Sequence, residues 1–330
     1  IDGQFIGKLE GLKLNLDFQS GSLDTDLKSL RKAARQAIAP ELMRRVIKIL
    51  RSGVLRLDPD SKIYWMDNPI AYLSSGKDYL NPRMNLIVDE AIDLESKGKL
   101  KIFLENWIST LIKTELSDLV NLKNTNTKNN YARALCFRLF ENNGIIKRDS
   151  IDQITKKLPP EERSNLRKKG VKIGRYHIFL PKMLKPSAVT LRVALWKIFF
   201  RDNRLSNLPT FGLNFLKNES KKDKKFLLIC GFENFNKFYV RVDILEKLFI
   251  KIIEISKNGK FEINSDMINL LGCTKDNFAQ LLKMMNYKQK KGKNDEKDLF
   301  IYWPIKSYKK NNVKVEKDSP FKILSEVRFK

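Results

Sequence analysis

The sequence predicts an α+β chain, mainly helical and multi-domain, with short β-hairpins and a winged helix-turn-helix towards the C-terminus. Three observations carry this: long stretches with apolar residues at helical spacing, two strand-like alternations around turn residues, and a segment, 240–303, with two short helices about a glycine turn and then a basic hairpin. A length of 330 residues allows two or three domains, and 42% hydrophobic residues supply their cores. The expected divisions are a hairpin-plus-helix domain over 1–122, a helical domain with a central strand over 131–205, the winged helix over 226–306 and a basic tail over 307–330.

The opening alternates from Phe5 to Leu9, turns at Gly11 and continues with Leu12, Leu14 and Leu16 on one face. A similar hairpin returns at Ile63, Tyr64 and Trp65, turns at Asp67-Asn68-Pro69 and continues through Leu73, a weak internal repeat. Between them, 26–52 has Leu27, Leu30, Ala34, Ala37 and Ile38 at helical spacing, which predicts a helix broken near Pro40. Residues 99–122 keep a helical period, 123–130 are a linker, and 131–143 are helical with Asn143-Gly144 as the stop. A helical stretch over 150–169 places Pro159-Pro160 at a helix start. A glycine-flanked strand-like run over 170–181 follows, then an apolar helix over 189–200 and a polar stretch, 209–225, of which 221–225 is expected as an exposed linker.

Asp243 to Glu246 has the form of a capping box ahead of Leu248, Phe249, Ile252 and Ile253. Phe261 to Ile263 is extended, Asn264-Ser265 caps a short helix, Gly272 turns the chain, and Thr274 caps a third helix. Phe278, Leu281, Leu282 and Met285 fall on its inward face. Lys275, Asn277, Gln280 and Lys283 fall on the other face, and the wing adds Lys288, Lys290, Lys291 and Lys293. Ammonium and amide groups donate hydrogen bonds where phosphates and base edges accept them, so these eight are candidate nucleic-acid contacts. A packing module with a solvated lysine face is the competing reading.

The charge agrees with that partner. Lys and Arg number 64 against 38 Asp and Glu, a net charge of +26, which favours RNA or DNA first and an anionic membrane second. The preponderance of Lys over Arg and the abundant Asn also fit compositional drift, which discounts the charge. No apolar run approaches a membrane span and no signal peptide opens the chain, so no membrane partner is expected. Cys136, Cys230 and Cys273 lie far apart and suit a reducing, cytoplasmic setting. With His177 the single histidine, neither a zinc site nor a Ser/His/Asp triad is expected. The chain begins at Ile1, as expected of a processed product or, preferably, of part of a longer polypeptide.

The run Leu86 to Ala91, with Asp89-Glu90, has the look of the magnesium-holding strand of ATP-driven motors. A nucleotide site also needs a glycine-rich loop ending in Gly-Lys-Ser/Thr, and every Gly-Lys here continues otherwise. The acidic pair is therefore expected to be structural, and no catalytic, cofactor or metal residue is assigned.

The run from Arg167 to Pro186, RKKGVKIGRYHIFLPKMLKP, followed by Leu195-Trp196, resembles the region after the motor core in alphaproteobacterial superfamily-two helicases related to the mitochondrial degradosome RNA helicase. Gly7-Lys8-Leu9-Glu10-Gly11, Gly231-Phe232, Val240 to Asp243, Leu271-Gly272 and Met285-Asn286-Tyr287 are similar to the same family. The resemblance implies the C-terminal accessory region of an ATP-dependent helicase whose two RecA-like motor domains, with ATP and magnesium, lie upstream in the parent chain. It carries no ATP-site residue onto this sequence. It implies part of a nucleic-acid channel, for which Arg167, Lys168, Lys169, Lys172, Arg175 and Tyr176 are the candidates, a solvated helix end being the competing reading. A stand-alone DNA-binding regulator and a scaffold docking a ribonuclease remain alternatives.

Overall fold

A computed structural model describes residues 7–16, 24–125, 127–200, 208–217, 224–256, 259–290 and 299–301. The fold is mixed α/β, with 54% helix against 22% strand among the described residues, and its sheets are small and antiparallel. The chain divides into two compact units, one of residues 1–249 with 270–272 and one of 250–269 with 273–330. Of the sequence readings, residues 1–6, the basic tail over 307–330, Lys291 and Lys293 lie outside the described residues.

The first unit opens with the hairpin β1 (Gly7–Glu10) and β2 (Lys13–Leu16) and the helix α1 (Asp24–Ser52). The expected break at Pro40 does not occur, and α1 runs through it. Proline removes the hydrogen bond to the carbonyl four residues back. Here that carbonyl belongs to Gln36, and both residues are exposed, on the side of α1 where solvent can take the place of the lost donor.

Strands β3 (Leu55–Leu57), β4 (Lys62–Trp65), β5 (Asn68–Asp78) and β6 (Asn81–Leu86) form one antiparallel sheet in sequence order. Ile63, Trp65, Leu73 and Met84 are buried on its inner face. The helix α2 (Leu94–Glu115) is started by the Asp93 carboxylate, which accepts the Ser96 amide at 2.8 Å, and buries Leu100, Leu104, Ile108 and Ile112 as a stripe of period four. It ends at Leu116, where the sequence predicted continuity, and α3 (Ser117–Lys123) follows.

Next come α4 (Asn130–Glu141), β7 (Ile145–Lys147), a 3-10 turn (Arg148–Ile151), α5 (Asp152–Lys156), α6 (Pro160–Lys168), β8 (Lys172–Ile173) and β9 (His177–Phe179). The left-handed Asn143 and Gly144 stop α4, and Pro160 sits in the first turn of α6, where it lacks no needed donor. A second 3-10 turn (Pro181–Leu184) leads to α7 (Pro186–Phe200). The polar stretch over 209–225 contains β10 (Phe215–Lys217), which pairs with residues 238–240, the Phe215 and Phe238 ring centroids lying 4.9 Å apart; of the expected linker, 221–225, residues 221–223 lie outside the described residues and Lys224 opens a helix. Then come α8 (Lys224–Ile229), β11 (Phe232–Phe235) and β12 (Phe238–Arg241). Leu104, Leu135, Leu139, Ile178 and Val193 are among the residues of a continuous core.

The helix α9 (Val242–Ile255) runs on into the second unit, which holds β13 (Lys260–Glu262), α10 (Ser265–Leu271, its last two residues excepted), α11 (Lys275–Met284), β14 (Lys288–Lys290) and β15 (Leu299–Ile301). Phe261 packs against Tyr287 at 5.7 Å and Phe300 at 6.0 Å, and Phe278, Leu281 and Leu282 are fully buried.

One order of elements occurs twice, apart from the 3-10 turn that precedes α5 in the first copy: helix, strand, two helices, strand, strand. It runs from α4 to β9 and again from α9 to β15. In both, the last strand lies in the middle of its three-stranded antiparallel sheet, as β7-β9-β8 and β13-β15-β14.

Candidate nucleic-acid interface

The helix α11 owes its place to two sequence features. Gly272, at φ 70°, makes the turn before it, and the Thr274 hydroxyl accepts the Asn277 amide at 3.3 Å. With Phe278, Leu281 and Leu282 inward, Lys275, Gln280 and Lys283 are exposed and Asn277 is half-buried. Asp276 is the single acid on the helix, and no ion pair among the described residues engages Lys275 or Lys283. Lys288 is exposed at the start of β14 and Lys290 closes that strand. This cluster belongs to the second unit.

The other candidates lie in the first unit. Arg167, Lys168 and Lys169 form the exposed C-terminal end of α6, where cations also meet the negative end of the helix dipole. Lys172, Arg175 and Tyr176 are half-buried in the β8–β9 hairpin. The Lys172 ammonium lies 5.7 Å from the Phe179 ring centroid, the Arg175 guanidinium 5.8 Å from that of Phe249, and the Tyr176 ring meets Phe249 edge-on at 5.7 Å. Three of the six therefore spend part of their surface on packing.

That hairpin is fastened by a residue which the sequence assigned elsewhere. Glu246 does not close a capping box. The helix begins at Val242, and the Asp243 carboxylate is taken by the Arg241 guanidinium in two bonds of 3.0 and 2.8 Å. Glu246 is buried and accepts the amides of Arg175, Tyr176 and His177 at 2.6, 2.8 and 2.9 Å. A carboxylate facing three converging N–H groups replaces its lost hydration with fixed donors.

His177, the single histidine, is buried in β9, and its Nε2 lies 2.8 Å from the Glu233 carboxylate, which Lys147 also pairs. Burial pushes the Glu233 carboxyl up, but the bonds from His177 and Lys147 outweigh it and hold the group below its ordinary range. Nearby, buried Asp118 accepts from Lys182 at 2.8 Å.

Arg192 on α7 is wholly buried and donates to the carbonyls of Asn143, Met183 and Ile229 at 2.7, 2.6 and 2.8 Å. These are carbonyls at or just beyond the ends of α4, a 3-10 turn and α8, where backbone acceptors are orphaned, so one guanidinium caps three elements. Residues 143, 183 and 229 share no local pattern with 192, which is why periodicity gave no sign of them.

Asp89 and Glu90 are engaged in the fold. The buried Asp89 carboxylate accepts the Leu14 and Ala91 amides at 3.3 and 3.0 Å, which ties it to β2, and Glu90 pairs with Arg35. No cluster of three or more His, Cys, Asp or Glu among the described residues could hold a metal ion, and no helix there is long and apolar enough to cross a membrane. Comparison with family models, curated proteins and solved structures finds no match to this chain.

Proposed function

We propose that this chain is the nucleic-acid-binding C-terminal accessory region of an ATP-dependent RNA helicase, with motor domains that bind ATP and magnesium elsewhere in the parent chain. The twice-used element order carries the reading. Helix, strand, two helices and a hairpin with its last strand central is the order of a winged helix-turn-helix, in which the third helix and the wing meet the nucleic acid. Both copies carry cations picked from sequence on the third helix and the first wing strand. In one copy these are Lys275 and Lys283, near the two ends of α11, with Lys288 on β14; in the other they are Arg167 and Lys168 in the last turn of α6, Lys169 just beyond it and Lys172 on β8. The helicase half of the reading rests on the sequence resemblance, of which the run 167–186 is the most specific part.

The test is binding of labelled single strands and duplexes through a salt series. Affinity is expected to fall steeply with salt, and Lys275→Gln with Lys283→Gln to flatten the slope by about one per lysine. Affinity without salt dependence would favour a protein-docking scaffold instead. An upstream reading frame lacking a Gly-Lys-Ser/Thr loop would remove the motor from the proposal.

A further inference from the structure

We infer that the open face of the β3–β6 sheet is a second nucleic-acid site, one that stacks unpaired bases. It rests on the nucleic-acid reading above but concerns a surface with no part in the winged-helix argument. Strand alternation sends Ile63, Trp65, Leu73 and Met84 inward, so the alternate positions face out. Those positions hold Arg56, Lys62, Tyr64, Tyr72, Arg83 and Asn85.

The register fixes their neighbours. Arg56 pairs with Tyr64, Lys62 with Tyr72, and Tyr72 with Asn85. Tyr72 is 44% exposed, which leaves a ring face to solvent. Tyr64 lies two residues along β4 from Lys62, the partner of Tyr72, and a register shift between Ile63 and Tyr64 sets it opposite Pro69, so both tyrosines belong to this face of adjacent strands. The Arg56 guanidinium lies over the Tyr64 ring, 4.8 Å from its centroid, so a base stacked here would meet the guanidinium plane or the rest of that ring, and Asn85 donates to Ser74 at 2.7 Å beside Tyr72.

The charge of this face is of one sign. Arg56, Lys62 and Arg83 are exposed and enter no ion pair among the described residues. The acids of the sheet sit in turns or at strand ends, where Asp58 caps the Lys62 amide, Asp60 pairs with Lys197, Asp78 pairs with Lys123 and Asp67 is exposed in the turn between β4 and β5. Aromatic rings set among unneutralised cations suit a strand that offers both π faces and phosphates. Duplex hides its bases, and an acidic peptide or a lipid headgroup would use the cations and leave the rings idle.

The test uses the full chain, with folding checked by circular dichroism, and fluorescein-labelled oligouridylate, oligothymidylate and a duplex of about 12 nucleotides. Tyr64→Leu with Tyr72→Leu is expected to weaken both single strands at least about tenfold and the duplex by less than about twofold, whereas Tyr64→Phe with Tyr72→Phe keeps the wild-type affinity. The uridylate and thymidylate arms separate RNA from DNA. Single-strand affinity untouched in the leucine pair, or lost equally in both pairs or for the duplex, would overturn the site while leaving the winged-helix reading standing. A wild-type chain that binds none of the three would overturn both.

Discussion

Gly174 and Glu246 are in contact across 72 positions of sequence, and the contact leaves no room for a side chain. A Cβ built on Gly174 would lie 2.3 Å from the Glu246 carboxyl carbon and 2.5 Å from both its oxygens. The glycine is there because the carboxylate must come close enough to accept the three amides that follow it.

Gly174→Ala is therefore expected to destabilise the first unit by about 1–3 kcal/mol, since either the carboxylate or the hairpin must move. Glu246→Gln should cost a similar amount, about 1–3 kcal/mol, because its amide N–H₂ would face backbone donors. Urea unfolding followed by circular dichroism measures both, and a midpoint unmoved by either substitution would deny the contact its role.

Arg192→Met keeps the apolar stem and removes the cap from three buried carbonyls. The expected loss is about 3–5 kcal/mol, among the largest available to one substitution in this chain. Arg192→Lys should fall between, since one ammonium cannot reach three divergent acceptors as a planar fork does. Thermal midpoints of the three proteins order the outcome, and a methionine variant as stable as wild type would show the carbonyls satisfied otherwise.

Glu233 sets a dependence on acid. Its carboxyl is held below its ordinary value of 4.5, so the folded state binds this proton less readily than the unfolded chain. Its contribution is complete above about pH 4.5 and is lost as pH falls through the depressed value. Between pH 5 and pH 3 the wild type should lose more of its thermal midpoint than Glu233→Gln does, and parallel losses would exclude Glu233 as a source.

The parts of this fold that sequence made legible are those with a local cause. Asn143-Gly144, Pro160, Asn264, Gly272 and Thr274 each stop or start the helix expected of them, because a left-handed residue, a missing donor or a side-chain acceptor acts within a turn of itself. The helices of the copy running from α4 to β9 were legible, but its sheet and its likeness to the second copy were not, since its strands are two or three residues long and give alternation almost nothing to register. The pattern at Asp243 to Glu246 misled for a different reason. A capping box is a local bargain, and Glu246 had partners 69 to 71 positions away. The outward residues of α11 were placed from periodicity alone, whereas Tyr64 and Tyr72 needed strand pairing before they fell on one face of one sheet.

The distance along the chain between the β8–β9 hairpin and its carboxylate also has a meaning for biosynthesis. Tyr176 leaves the ribosome 70 residues ahead of Glu246, which at about 5–20 residues per second is an interval of about 4–14 seconds. Throughout that time the nascent hairpin must hold its amides against water, so the cationic loop emerges in a loose form and is locked only when α9 has been translated.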